Sequence, residues 1–288
     1  MKSFINWVSL SSSRVIMMIQ FSFLLLPLLQ VSFIIVESFN KDLKQTINTA
    51  CISFIVTILL VYITGSNSLI LLSLVFSNLF IGAFVGKLFR HKFNLSHAYQ
   101  ALNIFLVILI CPAAFLLFPS PVGLIDSVFQ NISPLLIDSG LSADQIVVTQ
   151  MTLSNLFYGI LLWVLFIQSF LGILIGHYWC SALQKPVSLN YAFARLALGR
   201  RLGLAFVFII VASQLTVLLV LSNMALIAWT SMFICGLSVA HYRLSLLSLG
   251  WPPFIILYLA LLMPLSMNYV ALMLVIIGII DVFTNLRK

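Results

Sequence analysis

Eight stretches of this sequence, near residues 15–36, 47–64, 68–86, 100–119, 146–176, 203–221, 224–242 and 253–283, are apolar for about the length a helix needs to cross a bilayer. A hydrocarbon core roughly 30 Å thick takes about 20 helical residues. Lipid can satisfy no backbone group, so only helices or closed barrels can cross it. Runs this long and continuous select helices. The expected fold class is therefore all-α, a polytopic transmembrane helix bundle of about seven to eight membrane segments. Residues 1–288 read as a single integral membrane domain.

Composition closes off the soluble alternative. The chain is 62% hydrophobic and 7% charged, where a soluble domain carries about 25% charged residues. The net charge of +8 sits in short links between apolar runs, a placement that reads as topology and not as a phosphate-binding surface. No nucleic-acid partner is expected; the bilayer is. Cys51, Cys111, Cys180 and Cys235 are isolated, with no C-x-x-C pair, and so indicate neither a zinc site nor a disulfide framework. His177 and His241 have no carboxylate or cysteine at ligand spacing. No metal and no cofactor is expected.

Lysine and arginine sort the links. Lys41 and Lys44 lie in 37–46, and Lys87, Arg90 and Lys92 in 87–99. Lys185, Arg195, Arg200 and Arg201 lie in 177–202, and Arg243 in the next alternate link. The intervening links hold none, and 120–145 carries Asp126, Asp138 and Asp144. This is the positive-inside pattern. It places 177–202 as a basic cytoplasmic loop, 120–145 as an extracytoplasmic acidic loop, and 1–14 as a cytoplasmic or interfacial N-terminus. The run 15–36 is too long for a signal-peptide core and is expected to stay as an anchor. Within 120–145, "SADQ" at Ser142–Gln145 fits a capping box that starts the fifth long helix, whose first turns would stand outside the lipid.

Two segments carry a central proline, Pro27 in 15–36 and Pro264 in 253–283. Proline removes a backbone donor and bends or breaks a helix. Two kinked spans and two re-entrant pairs of half-helices are both compatible with the sequence. Only the re-entrant version puts every Lys and Arg on one side. In both, the termini share a side.

In 177–202, "GHYWCSALQKPVSLNYAFARLALGRR" sets Tyr178 and Trp179 at the interface, stops a helix at Pro186 and starts another after Ser188. The stripe Leu189, Ala192, Phe193 and Leu196 would lie on the inner leaflet. A docking surface for a partner would use the same residues. Neutral polar residues inside spans, Gln20, Gln30, Asn78, Asn103, Asn155, Gln168, Gln214 and Asn268, are either glue between helices or the lining of a ligand cavity. The cavity candidates are Gln20, Gln30, Asn78, Asn155, Gln168, Gln214 and Asn268, because paired interrupted helices point to transporter-type sites. Three G-x-x-x-G pairs, Gly82/Gly86, Gly172/Gly176 and Gly199/Gly203, allow close helix approach.

The C-terminal half resembles the YybS-like family of bacterial inner-membrane proteins. The likeness is carried by "GHYWCSAL" (Gly176, Trp179) with Pro186 and Phe193, by "CGLSVAHYRL" (Gly236, His241), and by "GIIDVFTNLRK" (Gly278, Asp281, Arg287). It implies an architecture similar to the substrate-binding components of energy-coupling-factor vitamin transporters, which bind a small molecule among their helices and dock on a separate energising complex. The expected function is a non-enzymatic inner-membrane protein, transporter-like or small-molecule-binding, without its own ATPase. The alternative is a scaffold or assembly factor that holds other envelope proteins through Lys185, Arg195, Arg200 and Arg201. An intramembrane enzyme would need His177, His241 and Asp281 to converge.

Overall fold

The computed structural model describes residues 2–63, 69–110, 122–183, 188–216, 218–247 and 250–287. Among these there is no strand. Five helices are long and apolar enough to cross a membrane: α4 (Leu43–Ile63), α5 (Leu69–His91), α8 (Ala143–Leu183), α11 (Leu219–Leu246) and α13 (Pro264–Thr284). The expected seven to eight segments are not matched by as many full-length helices. The run 15–36 divides into α2 (Ser12–Leu25) and α3 (Leu28–Asn40), preceded by α1 (Lys2–Ser9). The run 100–119 is described as α6 (Leu95–Ile104) continuing in π-helical turns over Phe105–Ile110, and 203–221 as α10 (Arg200–Leu215). The run 253–283 divides into α12 (Pro252–Leu262) and α13.

Both breaks have one cause. A residue before proline is pushed out of the helical region, and Leu26 (φ −146°, ψ 80°) and Met263 (φ −77°, ψ 122°) both leave it. At Pro27 the chain folds back. The Ser12 hydroxyl, at the start of α2, donates to Glu37 Oε1, near the end of α3, at 2.7 Å. Contact between these distant ends makes α2 and α3 a helical hairpin. The first proline segment is therefore broken at Pro27 and not a single kinked helix.

Half-helices in a bilayer must be buried in protein, and α3 is. Residues 30–39 are buried without interruption. Two G-x-x-x-G faces grip the helix. Gly82 and Gly86 of α5 lie against Val31, Ile34, Ile35 and Ser38, while Gly172 and Gly176 of α8 lie against Leu28, Val31 and Ile35. A Cβ at Gly86 would stand 2.6 Å from the Ile35 carbonyl oxygen, and one at Gly172 2.6 Å from that of Leu28. The third pair divides its work. Gly199 adopts φ +79° in a loop, and Gly203 packs on Val282. Helices α11 and α13 also cross closely, where Gly236 faces the Leu274 carbonyl and Gly278 that of Met232.

Helix α4 is inside out by the standards of water. Its buried face is Thr46, Thr49, Ser53, Thr57 and Val61, and Ile47, Ile55, Leu59 and Ile63 are exposed. A water-soluble helix buries its apolar stripe. Here the apolar side suits lipid and the hydroxyls face protein.

Arg14, Lys41, Arg90, Arg195 and Arg287 share one end of the bundle. Arg90 reaches the Lys41 carbonyl. Arg14 binds the Trp7 carbonyl on α1, which packs near Trp179 toward the end of α8. Arg287 reaches Cys235, beside the 197–200 loop that precedes α10. Helix α1 and the 281–287 stretch therefore lie at the end that carries Arg195, Arg200 and Arg201. Each acid at this end is ion-paired: Glu37 with Lys41, Asp42 with Arg90, and Asp281 with Arg287.

The described part of 120–145 is largely helical and not an open loop. Helix α7 (Val122–Asp138) folds back on the start of α8, with Ile125 and Phe129 packed on Ile146, and Leu136 and Phe157 beside them. Apolar residues at helical spacing outweigh the acids and Pro134. The capping box is present: Ser142 N–H donates to Gln145 Oε1 at 2.9 Å, and Gln145 N–H to Ser142 Oγ at 3.3 Å. Helix α8 has 41 residues, about 60 Å at 1.5 Å per residue and roughly twice a bilayer core. Its first turns pair with α7. The link at 64–68, the expected stop at Pro186, and Lys185 and Cys111 lie outside the described residues.

Candidate functional site

The polar face of α4 meets the α2–α3 hairpin along a seam that starts at the basic end. Just inside that end lies Glu37, whose side chain is 0% exposed. An ion taken from water into a protein costs several kcal/mol in effect, so it needs partners. Glu37 Oε1 accepts from Ser12 at 2.7 Å and Thr49 at 3.0 Å, and pairs with Lys41 Nζ at 3.2 Å. Lys41 Nζ also donates to Ser12 Oγ at 2.8 Å. Three residues, one on α2, one on α4 and one capping α3, thus converge on one carboxylate oxygen. The other, Oε2, is buried with no hydrogen-bond partner.

Deeper in the seam, Gln20 Nε2–H donates to the Ser53 carbonyl at 2.8 Å and Thr57 donates to Gln20 Oε1 at 3.2 Å. The Ser53 hydroxyl oxygen is buried without a partner. At the hairpin's turn, Gln30 is 0% exposed and neither its Oε1 nor its Nε2 is bonded. Buried polar groups are nearly always hydrogen-bonded. Three unspent side chains on or beside one hairpin are therefore notable. A cavity of about 400 Å³ opens at the seam's outer end, lined by Ser12, Lys41, Gln45, Asn48 and Thr49 with apolar Ile16 and Ile52.

The cavity candidates read from sequence do not form a single lining. Gln20 and Gln30 belong to the hairpin. Asn78 accepts from Ser169 at 3.2 Å, tying α5 to α8. The Asn155 carbonyl accepts from Asn223 at 2.8 Å, joining α8 to α11, while the Asn155 side chain is exposed. Gln168 is half-buried on α8, and Gln214 and Asn268 are exposed. Asn103 bonds Ser231, whose carbonyl accepts from Tyr99 at 2.8 Å.

The residues on which the expected family resemblance rests fall into structural roles. Gly176, Gly236 and Gly278 permit close packing. Trp179 packs on Phe33, with ring centroids 5.0 Å apart. Phe193 meets His241 edge-on at 5.1 Å. Asp281 pairs with Arg287 at 3.3 Å and accepts from the Leu286 N–H. His177, 2% exposed, stacks on Phe93 at 4.5 Å and meets Phe89 edge-on at 5.3 Å, buried within the protein. His177, His241 and Asp281 thus have three separate sets of neighbours. Among the described residues no group of three His, Cys, Asp or Glu could hold a metal, and Cys51, Cys180 and Cys235 are free.

The basic loop is docked, not loose. Ser188 precedes a six-residue helix, α9 (Leu189–Ala194), and the expected leaflet stripe ends there. Leu196 and Leu198 turn into the core. Ser96 donates to the Arg195 carbonyl at 3.0 Å, Gln100 to the Ala197 carbonyl at 3.0 Å, and Ser238 to the Phe193 carbonyl at 2.7 Å. Arg195, Arg200 and Arg201 remain exposed.

Sequence reasoning missed Glu37, which closes the first apolar run and looked like the start of a link. Two signals pointed to it: Lys41 four residues on, and the spacing of Thr46, Thr49, Ser53 and Thr57, which sets four hydroxyls on one helical face. No family model, curated protein or solved structure matches the chain.

Proposed function

We propose that this chain is a non-enzymatic, small-molecule-binding membrane subunit of transporter-like type, lodged in a bacterial inner membrane with its basic end in the cytoplasm. The orientation rests on the positive-inside bias. The binding site is the seam between the α2–α3 hairpin and α4, entered through the cavity at Ser12, Lys41 and Asn48. One observation carries the reading: a fully buried Glu37 with an unspent oxygen, where the free ends of the α2–α3 hairpin meet. An ionisable group so placed in a membrane protein marks a substrate or ion path by default, and interrupted helices are where transporters place such sites. Glu37 is already neutralised by Lys41, so the seam suits a small polar solute with hydrogen-bond donors for Glu37 Oε2 and Ser53. The likeness to the YybS-like family is in keeping with this assignment, and energising would fall to a separate partner.

The test is a thermal-shift screen of the purified protein against polar metabolites, together with mass spectrometry of co-purified small molecules. Binding is expected in the native chain and loss of at least tenfold in affinity in Glu37→Gln and Ser53→Ala. Absence of any co-purified molecule and of any shift across the panel rejects the proposal.

A further inference from the structure

A second cavity lies at the basic end, away from the seam. It measures about 1020 Å³ and lies between α9, the last turns of α11 and α12. Its charge is one-sided. Among the described residues Arg195 lines it and no carboxylate does. The three acids described at this end of the bundle are paired with Lys41, Arg90 and Arg287. The Arg195 guanidinium lies over the Tyr191 ring, 4.3 Å from its centroid, which fixes its position on the cavity wall. The opposite wall is aromatic. Phe254 packs on His241 with centroids 4.9 Å apart, Tyr258 O–H and His241 Nε2 are 3.3 Å apart, and Trp251 stands at the rim.

The border of this cavity is lipid. Helix α12 is apolar along its length and buries none of its residues, so the side not facing α11 and α13 must face hydrocarbon. A ligand held here would touch a cation and hydroxyls at one end and acyl chains at the other. Arginine matches phosphate in a bidentate way, and Trp and Tyr are the side chains that settle at headgroup depth. The volume is at the upper end of the roughly 300–1,000 Å³ common for small-molecule pockets, enough for a glycerophosphate head with its first methylenes.

We propose that this cavity binds the phosphate headgroup of an anionic phospholipid, with Arg195 on the phosphate and Trp251, Phe254 and Tyr258 against the glycerol and upper chains. The site is separate from the Glu37 seam and does not depend on the function assigned to it.

Native mass spectrometry of the full-length protein tests it, with phosphatidylglycerol and phosphatidylcholine of matched chains. The native protein is expected to retain phosphatidylglycerol preferentially. Arg195→Ala should lower that retention about fivefold or more, from the roughly 1 kcal/mol that one basic residue contributes near an anionic surface. Arg201→Ala, which removes the same charge outside the cavity, should leave it unchanged. If Arg195→Ala unfolds, Tyr191→Leu withdraws the ring beneath the guanidinium and should act in the same direction. Equal retention by native protein and Arg195→Ala, or equal loss in Arg201→Ala, overturns the site. Displacement of the lipid by glycerol phosphate at equal concentration reassigns it to soluble phosphate esters and overturns the lipid.

Discussion

Replacing Lys41 by methionine keeps the stem and removes the charge. Glu37, 0% exposed, would then rely on two hydroxyl donors, Ser12 at 2.7 Å and Thr49 at 3.0 Å. Breaking a buried pair by deleting one partner costs about 3–5 kcal/mol. The lower end applies, because Lys41 is 18% exposed and water near it offsets part of the loss. About 3 kcal/mol is expected for Lys41→Met. Glu37→Gln leaves the Lys41 ammonium with the Ser12 oxygen and an amide, for about 2 kcal/mol. The double variant has no charge, and its amide oxygen can still accept from Ser12 and Thr49, so about 2 kcal/mol is expected in total. The singles sum to about 5 kcal/mol, which makes the coupling about 3 kcal/mol. Reversible unfolding in mixed micelles, titrated with a denaturing detergent, measures all four proteins. Additivity within about 0.5 kcal/mol would refute the claim that these two charges are held against each other inside the protein.

Gly86→Val and Gly172→Val should each cost roughly 2–3 kcal/mol from overpacking, since their new atoms meet backbone oxygens at 2.6 Å; melting at the native temperature would contradict the close approach to α3. Reporters fused to both termini should give the same compartment, and cysteines placed at Lys44 and Arg201 should be labelled from the side opposite to one at Asp138. A split result removes the single basic face. Ser142→Ala should loosen only the α7–α8 turn, by about 1 kcal/mol, seen as faster amide exchange at 143–146 with the bundle unchanged.

Long-range order was readable where one physical rule acts alone. The cost of moving Lys and Arg across lipid sorts the links, and the missing proline N–H marks the breaks beside Pro27 and Pro264. The Ser142–Gln145 box could be read because its partners are three residues apart. Whether 15–36 folded back was not readable, since that depends on contacts such as Ser12 with Glu37, 25 residues apart. Helix α7 was hidden because Asp126, Asp138 and Pro134 suggested a link, whereas Ile125 and Phe129 find an apolar partner on α8. The polar residues were legible as a set but not as a site. Gln214 and Asn268 look like Gln20 in sequence, and only packing shows that Gln20 faces the seam while the other two face outward.

The way α3 is enclosed also dictates an order of assembly. Its walls come from α5 and from α8, and its Ser32 hydroxyl bonds the Gly172 carbonyl, 140 positions later. When residues 12–40 leave the ribosome, neither wall has been made, and a bilayer offers Glu37 and Gln30 nothing to bind. The α2–α3 segment is therefore synthesised before its walls and seated only after them. Until residue 183 has been made, that segment needs shelter at the inner surface or in the insertion machinery, and chains truncated before α8 should be degraded as unassembled intermediates.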